Sequence, residues 1–135
     1  MGDALQALNG KIGLDTTDFK TDIAGENREL RVLESGFRAG VSALGDWSQS
    51  ATGLEARIQS LTSQIDIQKL KVSALREEYE RVKAEKGENS RAAQDLEIKL
   101  NKETETLGKM QVELGDTTTV LDEVKSGSDE AGVLS

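Results

Sequence analysis

The chain has 135 residues, of which 31% are charged, 36% hydrophobic and 3% aromatic, and its formal charge is −8; that is too few bulky side chains for a thick globular core. It contains no cysteine, histidine or proline. Disulfides, thiolate and imidazole catalysis and the usual transition-metal ligands are thereby excluded, and the acidic balance opposes nucleic-acid phosphates and anionic membranes.

No apolar run approaches the roughly 18 residues that span a bilayer. The start MGDALQALNG lacks the basic flank and apolar core of a signal peptide. A soluble protein made in a cytoplasm is expected. The middle and later parts are dominated by Ala, Leu, Glu, Lys, Gln and Arg, which lose little side-chain freedom in a helix. The fold class expected is all-α, with long amphipathic helices in a coiled coil or an antiparallel helical hairpin.

Residues 1–16, with Gly10 and Gly13 around Lys11 and Ile12, read as irregular or extended. Asp15, Thr16 and Thr17 offer oxygens to cap a helix over 17–44. There Phe19, Ile23, Leu30, Leu33, Phe37 and Leu44 recur in steps of three and four, with Glu26 and Gly40 in the intervening slots. Gly25, Gly36 and Gly40 each cost about 1 kcal/mol relative to alanine, so this helix should be the weakest. The G-x-x-x-G spacing of Gly36 and Gly40 stands beside Glu34 and Arg38, which argues for simple packing or fraying rather than a lipid-facing dimer motif.

Residues 45–51 form a linker rich in Gly, Ser and Asp. It carries the single Trp47, either an anchor for the linker or a contact for a partner protein. Thr52 and Glu55 have capping-box spacing and open a helix over 52–86. Its stripe is Leu54, Ile58, Leu61, Ile65, Gln68, Val72, Leu75, Tyr79 and Val82, alternating steps of four and three. A mean step of 3.5 rather than 3.6 keeps one seam facing a partner. Outside it, Lys69, Lys71, Arg76, Arg81, Lys83 and Lys86 alternate with Glu77, Glu78, Glu80 and Glu85 and read as a solvated surface. Ile67, Leu70 and Ala74 form a shorter apolar line that is either surface scatter or the face for a third helix or a neighbouring subunit.

Residues 87–90 break or turn the helix: Gly87 can close it, and Asn89 or Ser90 can cap the next. The third helix, 91–124, carries Ala93, Leu96, Leu100, Glu103, Leu107, Met110, Leu114, Thr117, Leu121 and Val124 at the same spacing, and 125–135 should be a disordered tail. If the chain reverses at 87–90, residues whose numbers sum to about 175 meet, and Gln68 falls opposite Leu107 while Val72 comes near Glu103. If it stays straight, identical chains run parallel and Gln68 meets Gln68, which accounts better for the glutamine. Either way association, most simply a homo-oligomer, is expected.

The ordered phrases LDTTDF, NRELRVLESGFRA, LGDW, GLEARIQSLTSQIDIQKLKVSALREEYE and KGENSRAAQDLEIKLNKETETLGKMQVEL resemble the N-terminal region of phage and prophage tail tape-measure proteins over roughly residues 10–124. The resemblance implies a helical ruler around which tail-tube subunits polymerise with assembly chaperones. It also implies a location in the tube lumen of the virion tail, reached from the host cytoplasm during assembly. A wholly helical chain of this length reaches about 200 Å, short for such a ruler, so an N-terminal piece of a longer one is expected. Apart from the resemblance, the residues also suit a host-side helical adaptor that binds partners through its stripe and Trp47. No catalytic, cofactor or metal residues are expected; pairs such as Glu77 and Glu78 point different ways on an exposed helix face.

Overall fold

The computed structural model describes residues 19–127 in full; for 2–18 and 128–134 it gives the backbone alone, and Met1 and Ser135 lie outside it. Among the described residues three α-helices, α1 (Gly2–Val41), α2 (Ala51–Lys86) and α3 (Arg91–Leu134), make up the fold. There is no strand among the described residues. α2 is the central element and packs against both others, more extensively against α3.

The chain reverses at 87–90, so α2 and α3 form the hairpin. Gly87 ends α2 at a φ of 92° and a ψ of 154°, donating its N–H to the Lys83 carbonyl. A side chain is strained at that φ, which is why a glycine stands there. Ser90 then opens α3: its hydroxyl accepts from the Ala93 N–H at 3.1 Å and donates to the Gly87 carbonyl. The straight, parallel alternative does not describe this chain.

α1 also runs antiparallel to α2, since Glu34 bonds Arg57 while Phe19 shares a recess with Val82. α1 and α3 are therefore parallel flanks of α2. Position for position, residues 21–41 have the same degree of exposure as residues 101–121, so that Phe37 matches Thr117 and Val41 matches Leu121. The matched residues differ chemically. The likeness lies in how each flank is phased against α2, not in a repeated sequence.

Four boundaries differ from expectation. The irregular segment expected over 1–16 lies within α1 from Gly2 onward, and the tail expected from 125 continues α3. Their glycines weaken a helix without breaking it, and no proline is present to remove a backbone donor; the side chains of 1–18 and 128–135 lie outside the described residues. α1 ends at Val41, where a 3-10 turn, Ser42–Leu44, takes over. The stripe consequently steps from Phe37 to Val41, 5% exposed, while Leu44 is 40% exposed and Gly40 faces outward. Finally, α2 is capped by Ser50, whose hydroxyl accepts from Gly53 N–H at 3.0 Å, rather than by Thr52.

That shift has a steric cause. A Cβ on Gly53 would sit 2.3 Å from the Trp47 carbonyl oxygen and 2.8 Å from its Cα. Only glycine lets the linker fold this tightly over the first turn of α2. Trp47 lands edge-on against Phe37, centroids 5.1 Å apart at 84°, in the T-shaped geometry that aromatic quadrupoles favour. Half-buried, Trp47 anchors the linker.

Candidate functional site

The expected seam is the core of the hairpin. Leu54, Leu61, Ile65, Gln68, Val72, Leu75 and Val82 are buried on α2, with Ile58 and Tyr79 half-buried beside them. On α3, Leu121 and Ala93 are buried, and Leu96, Leu100, Leu107, Met110 and Leu114 are half-buried. Thr117 is buried as well, its hydroxyl donating to the Glu113 carbonyl one turn back at 2.7 Å.

Gln68, 1% exposed, donates from its amide nitrogen to the main-chain carbonyl and to a side-chain oxygen of Glu103, both at 2.9 Å. The expectation that the two polar interruptions miss each other in a hairpin is thus corrected. They meet because Gln68 packs against Glu103 rather than Leu107, four residues or about one turn from the idealised register, and a glutamine needs no second copy to satisfy its amide.

A second buried line on α2 was not expected. Arg57, Gln64, Lys71 and Glu78, seven residues apart, are only 7–9% exposed. They form a polar spine between the two flanking helices. Lys71 and Glu78 were expected on a solvated surface; α1 covers them because α2 is central and must bury two faces rather than one.

Arg57 carries the greatest load. Its Nε donates to Glu113 on α3 at 2.7 Å and its Nη1 to Glu34 on α1 at 2.8 Å, so one guanidinium ties three helices. It also lies 4.8 Å above the Phe37 ring and 5.9 Å from Trp47, where a cation is attracted to the ring faces. Burial works to lower the basicity of Arg57, but the bonds and charges of Glu113 and Glu34 outweigh it and raise its pKa. Glu34 is drawn in the complementary direction. Burial pushes its carboxyl up, and the donors from Arg57 and Gln64, with the charges of Arg57 and Arg38, bring it below 4.5.

Gln64 bridges Glu34 at 3.1 Å and the Ser60 hydroxyl at 2.9 Å, and Ser60 reaches the Leu33 carbonyl. Lys71 pairs with Glu103 at 3.1 Å. Burial acts to raise Glu103, yet Gln68 and Lys71 together hold it below 4.5. Glu78 is bonded by Arg81 at 2.6 Å, and Arg81 reaches on to Glu85 at 3.1 Å.

On the outer side of the α1–α2 contact runs an open groove lined by Gly25, Val32, Leu33 and Ile67. A Cβ added at Gly25, Gly36 or Gly40 would meet nothing within 4 Å. The small residues of α1 therefore do not serve close packing within this chain. Val32 and Leu70 beside the groove, and Ile98 and Val112 on the outer face of α3, are 58–66% exposed.

Among the described residues no group of acidic side chains is placed to hold a metal ion, and no helix is long and apolar enough to cross a membrane. No protein-family model matches the chain, and no curated protein or solved structure matches it.

Proposed function

We propose that this chain is a structural assembly module, a stiff helical rod that acts as a ruler or scaffold segment of a phage tail. The observation that carries the reading is mechanical. An unbroken 36-residue helix is clasped on two sides by helices bonded through its buried polar spine. Helical rise is fixed at about 1.5 Å per residue, so such an element holds a set length of about 54 Å. The ordered phrases resembling the N-terminal region of tape-measure proteins supply the context: tail-tube and tail-chaperone partners, and a place in the tube lumen.

Folding back changes the arithmetic of such a ruler. Residues in the hairpin contribute length in antiparallel pairs, so a heptad added to α2 needs a matching one in α3 and lengthens the rod by about 10 Å. Lateral association of copies, as a coiled coil or a looser bundle, would use the exposed Val32, Leu70, Ile98 and Val112. The same exposed residues support the second reading, a helical adaptor for unrelated partners.

Co-expression with tail-tube and tail-chaperone proteins separates the two. The ruler reading expects the chain to co-purify with them and expects paired heptad insertions to lengthen assembled tails in electron micrographs. Failure to bind either protein, together with unchanged tail length, would reject it.

A further inference from the structure

We infer that Glu26 is a proton-operated latch, holding the 19–30 stretch of α1 more tightly against α2 when its carboxyl is protonated. The inference begins from an unmatched atom. Oε1 of Glu26 is buried without a hydrogen-bond partner, which is costly for a carboxylate and much less so for a neutral carboxyl.

The surroundings explain why no partner comes. Glu26 faces Lys71 on α2 and stands between Asp22 and Glu29 on its own helix, above the apolar Leu70 and Ala74. The Lys71 ammonium has three N–H donors, but it is drawn to Glu103 on α3 at 3.1 Å and leaves Glu26 Oε1 without a bond. Fourteen residues earlier on the spine, Arg57 faces the same situation, one carboxylate on each flank, and its forked guanidinium serves both. The spine therefore grips α1 firmly around Glu34 and leaves it one bond short around Glu26. Burial and the neighbouring Asp22 and Glu29 raise the Glu26 carboxyl above 4.5, against the opposing pull of Lys71.

The direction of the effect follows. A carboxyl whose pKa is raised by docking favours the docked state below its undocked value, and that contribution is lost as pH rises through the docked one. Acidification towards about pH 5 should thus tighten this stretch before the bonds of Glu34 and Glu103, both depressed below 4.5, begin to fail.

Hydrogen exchange of the full chain between about pH 8 and about pH 5 tests this, with protection factors corrected for the intrinsic exchange rate. Protection of amides 19–30 should rise as pH falls, by up to about tenfold per pH unit inside the window, while amides 33–41 stay level. Glu26→Gln should show at about pH 8 the protection that the parent reaches only in acid, with a flat profile. Lys71→Arg should flatten the profile too, since a second fork can reach both carboxylates. A flat profile in the parent chain, or a Glu26→Gln profile that tracks the parent, would overturn the proposal.

Discussion

Replacing Arg57 with alanine removes the one side chain that, among the described residues, bonds to both flanking helices. Two charge-assisted hydrogen bonds are lost, each contributing about 1.5–3 kcal/mol when the partners stay dry. Here the side chains of Glu34 and Glu113 are 30% and 43% exposed, so water recovers part of that, and roughly half the value is appropriate. The contact above Phe37 adds about 0.5–1 kcal/mol. The expected loss is about 3 kcal/mol, or on the order of 10 °C in Tm. Urea unfolding followed by circular dichroism should show the midpoint falling with little change in slope. Arg57→Lys, which keeps the charge but reaches one carboxylate, should retain about half the loss. Double-mutant cycles with Glu34→Gln and Glu113→Gln should each give a coupling of about 1 kcal/mol. A loss under about 1 kcal/mol, or coupling to only one carboxylate, would refute the claim that Arg57 ties three helices.

Further expectations rest on single residues. Gly53→Ala should destabilise by about 1–3 kcal/mol and alter Trp47 fluorescence, because its Cβ would collide with the Trp47 backbone. Gly36→Ala, facing open space, should stabilise the isolated chain by up to about 1 kcal/mol in thermal melts. Gln68→Ala opens a cavity and strips Glu103 of two bonds, for a cost of about 2–3 kcal/mol in urea. Stability should increase slightly as pH falls towards the ordinary carboxylate range, because burial, Asp22 and Glu29 raise the Glu26 carboxyl above its usual value. Below about pH 4.5 it should fall, because Glu34 and Glu103 lose contributions that are complete only above their unfolded pKa values.

The apolar seam from Leu54 to Val82 and the linker with Trp47 were legible in the sequence because each rests on local spacing or local turn chemistry; Gly87 and Ser90 marked an interruption at 87–90, but whether the chain reversed there was left open. The polar spine was not. Long polar side chains outside an apolar stripe read as surface, and that reading holds only for a helix with one covered face. The trace was nonetheless present: Arg57, Gln64, Lys71 and Glu78 each precede a seam position, 58, 65, 72 and 79, by one residue. A seven-residue recurrence of long polar groups beside an apolar seam signals a helix covered twice. Gln68 misled for a related reason. Pairing like with like favoured a parallel assembly, whereas a shift of about one turn in the hairpin brings it to Glu103. Gly53 drew no comment from composition, since its role depends on where the Trp47 backbone folds.

The central claim is that one chain folds back on itself, with α2 between two parallel flanks. It is tested most directly by the distance between spin labels at the exposed positions Thr62 and Lys109, measured with labelled chains diluted into unlabelled ones. Helices packed 8–10 Å apart place such labels within about 30 Å of each other, and the account predicts that distance. A separation near 70 Å, the length of 47 residues in one continuous helix, would contradict it.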